Sequence, residues 1–431
     1  MEGSAHIDTF ARDNLPPRTL WPDLVFSLPE LHYPERLNCA VAFIDRHVAE
    51  GRGDRLAVCA PDGTRWNYSE LAAQVNRIAN VLAGELGMVP GNRVLLRAAN
   101  TPMMLAAYFA VIKAGGVAVA TMPLLRAKEL AFIVEKARIR LALCDRRLDG
   151  EMAGMPVERT VYFHAPGQPD ELERAMATAS PAFQACDTAQ DDVCLIAFTS
   201  GTTGVPKGTM HFHRDMLAIC DTFSRHVLRP NADDLFAGSA PLAFTFGLGA
   251  IVLFAFHVGA DLLQAVVAHR PTILSTSPTG YRMMLGALSG ADISSLRACI
   301  SAGETLPKAT WDTWYAATGL KLIDGIGGTE MLHIFISAAG DAIRPGATGK
   351  PVPGFEAKVV DDCGNPVPAG QVGRLAVRGP TGCRYLADLR QTAFVQGGWN
   401  LTGDTYVMDE DGDFWYQARA DDMIVSAGSN I

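Results

Sequence analysis

Short apolar runs alternate with amphipathic stretches through the first three quarters of the chain. Leu56–Cys59, Arg93–Leu96, Val117–Ala120, Leu141–Cys144 and Val161–Phe163 have the length and composition of buried strands. Between them, Ser69–Leu86, Pro102–Ala114 and Lys128–Ala137 carry helical patterns, with Ser69 the expected N-cap of the first. A second set of strands follows at Asp261–Leu263, Ile273–Ser275, Ala298–Ile300 and Leu320–Ile323. Alternation of this kind predicts an α/β fold with mainly parallel sheets. After about Ala342 the texture changes to short alternating runs punctuated by proline and glycine. Phe355–Val360, Asp361–Asn365 and Val372–Arg378 read as strand, turn, strand, which predicts a small β subdomain. The longest apolar run, Leu248–Ala260, is short for a membrane span and contains His257, so it is read as a buried helix.

Composition narrows the class. The 431 residues are 48% hydrophobic and 19% charged, enough apolar material for one large or two to three ordinary domains. Net charge is −9 and no basic run occurs, which argues against nucleic acid as a partner. Nine cysteines lack Cys-x-x-Cys spacing, and their odd number points to reduced thiols and a cytoplasmic setting. The first residues, Met1 to Asp8, are polar and lack the apolar core of a signal peptide.

The most informative stretch is Thr199-Ser200-Gly201-Thr202-Thr203-Gly204-Val205-Pro206-Lys207-Gly208, directly after the apolar strand Val193–Phe198. Four hydroxyls, a lysine and several glycines suit a polyphosphate: the hydroxyls and amides donate, and glycine permits tight curvature close to the ligand. The order and spacing are not those of the common P-loop. The bland alternative is a Gly/Thr surface loop.

This stretch resembles the signature of the adenylate-forming superfamily, which comprises acyl- and aryl-CoA ligases, luciferases and adenylation domains of peptide synthetases. Gly325-Ile326-Gly327-Gly328-Thr329-Glu330, Thr402-Gly403-Asp404 and Arg419-Ala420-Asp421-Asp422 follow in that family's order. The resemblance implies two stacked α/β subdomains over residues 1–341 and a small β subdomain over 342–420. It also implies a hinge at Asp421, with 421–431 opening a lid. In such families a lid of roughly a hundred more residues, an ordinary size for a small domain, carries a catalytic lysine. The expectation is therefore that residues 1–431 are a truncation, binding an acyl-adenylate but turning over poorly.

The chemistry implied is activation of a carboxylate by ATP to an acyl-adenylate, then displacement of AMP by coenzyme A. Thr199, Ser200, Gly201, Thr202, Thr203, Gly204 and Lys207 match the phosphate-binding set. Thr329, Glu330 and Lys207 match the catalytic set, with Glu330 holding Mg²⁺; alone, Glu330 would read as a surface carboxylate. Gly303, Glu304, Asp324, Gly325, Ile326, Asp404 and Arg419 match the adenine and ribose set, although the superfamily usually has an aromatic residue where this chain has Ile326. The pattern Asp324–Phe335 and the segment Ala240–Gly249 look most like the benzoate-type aryl-CoA ligases, including those for 2-aminobenzoate. That implies an acid pocket of Phe244, Thr245, Phe246, Gly247, Ala302, Ile326, Gly327 and His333. The phenylalanines read equally well as ordinary core. His333 reads as a structural histidine or as a pocket residue, and His211 and His213 carry no assigned role. The expected partners are a small aromatic carboxylate, ATP and coenzyme A, without a membrane; a homodimer stays open. Two rivals remain at this point: an adenylation domain loading a carrier protein, and a module that binds ATP or an aroyl-adenylate without turnover.

Overall fold

The computed structural model describes residues 3–199, 205–263, 270–288 and 291–419, plus the short pairing of Val425–Ser426 with Ser429–Asn430. Two α/β sheets carry most of the chain. The first has six strands in the order Arg159–Phe163, Leu141–Asp145, Arg93–Arg97, Val117–Thr121, Val193–Thr199, Lys207–Phe212. All its neighbours are parallel except the last pair, a hairpin. Arg93–Arg97, Val117–Thr121 and Leu141–Asp145 are buried at every position. That is why these strands read as unbroken apolar runs: a parallel sheet is covered on both faces.

The second sheet has nine strands. It runs Lys350–Pro351, Ile334–Ser337, Leu322–Gly327, Ala298–Ser301, Ile273–Thr276, Leu235–Gly238, Asp261–Leu263, Leu56–Cys59, Arg65–Asn67. The middle is parallel, and both margins are closed by antiparallel strands. Leu56–Cys59 and Arg65–Asn67 come early in the chain yet pair into this second sheet, so the two sheets are not sequential halves of the sequence. One hydrophobic core spans both sheets, and helix Pro102–Lys113 is buried in it along its full length. The run expected as a buried helix is one: Thr245–Gly247, Leu248–Leu253 and Phe254–Val258 form a continuous helical stretch. It stops at Gly259, whose φ of 76° is left-handed.

The first long helix is capped two residues before the expected position. It runs Tyr68–Asn80 and continues through Val81–Glu85. Its N-cap is Asn67, whose side chain accepts from Glu70 N while Glu70 accepts from Asn67 N. This reciprocal capping box satisfies two free amides, which Ser69 inside the first turn does not.

A third, antiparallel sheet contains Glu356–Val360, Val372–Arg378, Trp399–Met408 and Val395–Gln396, with Phe414–Arg419 added on Trp399–Met408. It is the expected β region. Beyond Arg378 the chain returns to the first sheet. Met210 N donates to Arg384 O at 2.8 Å and Leu386 N to Gly208 O at 2.8 Å. The segment around Arg384–Leu386 thus lies along the strand Lys207–Phe212. Among the described residues, no helix is long and apolar enough to cross a membrane.

Candidate active site

The expected phosphate loop falls between the two strands of the hairpin that closes the first sheet. Thr199 and Lys207 are paired at its base. Ser200, Gly201, Thr202, Thr203 and Gly204 lie outside the described residues, as does Asp421. The hairpin register fixes Lys207 on the same strand face as His211, four residues on, because side chains in a strand alternate with period two.

Lys207 meets Glu330 there. Its Nζ lies 3.5 Å from Glu330 Oε1 and donates to the Tyr385 hydroxyl at 2.9 Å. Tyr385 in turn donates to Glu330 Oε1 at 2.5 Å. The ammonium also lies 4.9 Å from the centroid of the Tyr385 ring. Burial and the adjacent Glu330 carboxylate push the Tyr385 phenol far above its ordinary value, so it stays a donor. Lys207 and Glu330 come from positions 123 residues apart, and the sequence motifs place both here. Tyr385 does not belong to any of those motifs. Its signal lies only in the pairing of residues 384–386 along the hairpin.

Thr329 and Glu330 sit in the short helical turn Thr329–Met331 after the strand Leu322–Gly327. The turn is fixed from below: His211 Nε2 is 2.8 Å from the Thr329 carbonyl oxygen. His211 itself neighbours Asp215, which is ion-paired with Arg384; all three side chains are fully buried. His213 has a packing role. Its Nδ1 accepts from the Cys39 amide at 3.1 Å and holds the start of a neighbouring helical segment.

Of the expected adenine and ribose residues, Gly303, Glu304, Asp324, Gly325 and Ile326 lie at the carboxyl ends of parallel strands of the second sheet, where α/β folds open their binding clefts, and Asp404 and Arg419 lie on the third sheet. Ser301 pairs with Asp324, so Gly303 and Glu304 follow the end of one strand as Asp324, Gly325 and Ile326 continue the next. Gly303 has φ of 92°, a conformation that favours glycine. Glu304 accepts from Thr279 N at 3.2 Å and Thr279 Oγ1 at 2.8 Å. Burial pushes Asp324 up to about 7, against a small lowering by the Gly325 amide. Asp404 and Arg419 are paired across two antiparallel strands, with Arg419 Nη1 3.3 Å from Asp404 Oδ1. Burial raises the Tyr406 phenol, and Asp404 and then Asp324 add to the rise.

Several residues expected to line an acid pocket, Phe246, Ile326, Gly327 and His333, come together. The His333 side chain is 3% exposed. It lies against Phe254, Phe246 and Phe223, with ring centroids 4.7, 5.5 and 5.6 Å away. Neither ring nitrogen has a hydrogen-bond partner among the described residues. Burial drives its pKa down to about 3, so the imidazole is neutral. A Cβ at Gly249 would stand 2.4 Å from His333 Cδ2, and one at Gly327 2.7 Å from His333 O. Both glycines are therefore required by the close approach of His333. Ile326 pairs with Ile336 and Gly327 with Ile334, which sets them beside the strand that His333 enters. Gly247 is held against Pro241, where a Cβ would come within 2.3 Å of the carbonyl oxygen. Thr245 and Ala302 are buried, and Phe244 is half-buried at the helix start.

A lysine at the base of a hairpin facing the carboxylate of a Thr-Glu turn, with an Asp–Arg ion pair on a third sheet, is the arrangement the sequence motifs led one to expect of an ATP-using activating enzyme. The family model for the AMP-binding enzyme matches residues 45–385, and the chain belongs to that family. It is 33% identical to the benzoate–CoA ligase of Thauera aromatica, over 93% of this chain and 80% of that protein. The crystal structure of the anthranilate CoA ligase AuaEII in complex with anthranoyl-AMP superposes with a TM-score of 0.88 at 32% identity. That match covers 94% of this chain and 82% of that one. A benzoate CoA ligase from Burkholderia xenovorans LB400 superposes with a TM-score of 0.81 at 29% identity, over 90% of this chain and 81% of that one.

Proposed function

We propose that the protein activates a small aromatic carboxylic acid with ATP and passes the aroyl group to coenzyme A. In the first half, a carboxylate oxygen bonds to the α-phosphorus and the bond to the β-phosphate oxygen breaks, releasing pyrophosphate. In the second, the thiolate of coenzyme A bonds to the acyl carbon and AMP leaves. Lys207 and the hydroxyls from Thr199 onward carry the β- and γ-phosphates, and Thr329 meets the α-phosphate. Asp404 and Arg419 hold the ribose hydroxyls, and Asp324 faces the adenine amino group.

The donors at the head of this site are a carboxylate and hydroxyls, all hard oxygen ligands, and the half-buried Glu330 already holds a cation, Lys207, at 3.5 Å. That donor set fits Mg²⁺, which combines one or two carboxylates with phosphate oxygens and water. Glu330 would hold the ion, which when bound would neutralise phosphate charge.

The observation that carries the substrate class is the neutral His333 enclosed by three phenylalanine rings beside Ile326 and Gly327. A flat ring is accommodated by flat apolar walls with one polar atom to meet; a long alkyl chain needs a tunnel. The relatives named above support the same class, and they are coenzyme A ligases, which favours coenzyme A over a carrier protein as acceptor. Nine free thiols support a reducing, cytoplasmic setting. The test is pyrophosphate exchange with benzoate, 2-aminobenzoate, hexanoate and palmitate in the absence of a thiol, and, separately, thioester formation from the same acids with free coenzyme A. The aromatic acids should support exchange and the fatty acids should not. A higher kcat/KM for hexanoate would refute the aryl reading.

A further inference from the structure

Asp215 stands at the centre of a buried network whose two ends both reach the nucleotide residues. Its Oδ2 accepts from the Phe212 amide at 3.0 Å, which fixes the carboxylate at the start of its helix. On one side it is ion-paired with Arg384. Arg384 lies against two aromatic rings, its guanidinium carbon 3.9 Å from the Phe212 centroid and 5.5 Å from that of Trp21. Arg384 and Tyr385 are neighbours in an extended segment, so their side chains point to opposite faces. Arg384 goes inward to Asp215, and Tyr385 goes to Lys207 and Glu330. On the other side, Asp215 Oδ2 is 3.6 Å from His211 Nδ1, and His211 Nε2 is 2.8 Å from the Thr329 carbonyl. Thr329 immediately precedes Glu330.

We propose that Asp215 is a positioning residue for nucleotide activation: through Arg384 it sets the segment that presents Tyr385, and through His211 it sets the Thr329–Glu330 turn. The inference rests on the reading above that Lys207, Thr329 and Glu330 handle the nucleotide. Stability alone is a poor reason for this arrangement, because buried ion pairs are commonly replaceable by apolar side chains without loss. The pair instead joins two chain segments that are otherwise remote, 169 residues apart at Asp215 and Arg384 and 118 apart at His211 and Thr329. Each link ends next to a side chain of the Lys207–Tyr385–Glu330 group. Burial alone would raise the Asp215 carboxyl, but Arg384 and His211 outweigh it and hold it below its ordinary value, so the anchor stays charged.

The decisive variants are His211→Leu and His211→Gln, with Asp215→Asn and Arg384→Met beside them. Calorimetry measures the Kd of α,β-methylene-ATP with Mg²⁺ and, separately, that of 2-aminobenzoate. His211→Leu should weaken the nucleotide about 10-fold, the equivalent of one net hydrogen bond to the turn. Its affinity for 2-aminobenzoate should change less than about 2-fold, since nothing is removed from the acid pocket. His211→Gln should restore most of the loss, because its amide nitrogen reaches the same carbonyl. A merely structural histidine gives the opposite pattern: a lower Tm in both variants, with nucleotide affinity as in the unaltered protein, and that result overturns the proposal. If Asp215→Asn does not fold, the two His211 variants still decide. Failure of the unaltered protein to bind the nucleotide analogue would refute the function reading itself and the inference with it. Normal binding by the unaltered protein and by His211→Leu alike would refute the inference alone.

Discussion

Asp324 should make the protein less stable as pH rises, in a window set by its burial. Its Oδ1 is buried without a hydrogen-bond partner among the described residues, and its pKa is pushed up from 3.8 to about 7. Between those values the folded protein keeps a proton that the unfolded chain has already lost. The folded state therefore binds more protons, and stability falls as pH rises through the window, levelling off above the folded pKa. From pH 5 to pH 8 the loss covers about two pH units below the folded pKa, at about 1.4 kcal/mol each, or about 3 kcal/mol in all. The perturbation is Asp324→Asn, which keeps the shape and removes the titration. Urea unfolding of both proteins at pH 5, 6, 7 and 8 isolates the effect, because every other group titrates in both and cancels. The variant should gain about 3 kcal/mol on the unaltered protein between pH 5 and pH 8. Unfolding curves whose separation does not change with pH would show that Asp324 is not held in a desolvated site, and the reasoning would fail.

Lys207→Ala and Glu330→Ala should each slow pyrophosphate exchange about 100-fold or more, because each removes charge stabilisation from a polyanionic transition state; unaltered rates would contradict the phosphate assignment. Tyr385→Phe deletes the hydroxyl that joins Lys207 to Glu330 and should cost about 1.5–3 kcal/mol, as for hydrogen bonds to charged groups; calorimetric unfolding identical to the unaltered protein would mean the three side chains do not meet in solution. Gly249→Ala puts a methyl 2.4 Å from His333 Cδ2 and should weaken 2-aminobenzoate while sparing nucleotide affinity; equal affinities for the acid would argue against an aryl slot at His333. Ring NMR of His333 should show no titration between pH 5 and 8, since its folded pKa is about 3. Because the unfolded histidine takes up its proton from about 6.5 downward, this group should also destabilise the fold as pH drops through that range; a folded-state midpoint near 6 would contradict its desolvation.

Much of the fold was legible because its signal is local. Buried parallel strands such as Val117–Thr121 are continuous apolar runs, and the β region announces itself through proline and glycine. The first helix was expected to be capped by Ser69 and is capped by Asn67, which has Glu70 at capping-box spacing where Ser69 has Ala72. The pairing of Leu56–Cys59 into the second sheet was not legible: strand partners remote in sequence leave no periodic trace. The same holds within the site. Lys207, Thr329, Glu330, Asp404 and Arg419 stand in recognisable motifs. Tyr385, Arg384, Asp215 and His211 do not, because their roles come from contacts between segments more than a hundred residues apart. Even so, Lys207 and His211 share one strand face, a period-two relation that the sequence did contain. His333 fell between these cases: its segment was recognisable, while its burial among Phe223, Phe246 and Phe254 needed the helix to be placed against the strand.

The central claim is that one site holds an adenylate and an aromatic acyl group together. It is tested most directly by calorimetry with a non-hydrolysable mimic, benzoyl-sulfamoyl-adenosine, against its hexadecanoyl counterpart and AMP. The benzoyl compound should bind at least about 100-fold more tightly than either, since it alone fills both the nucleotide residues and the slot at His333. Equal affinity for the benzoyl compound and AMP, or tighter binding of the hexadecanoyl compound, would contradict the account.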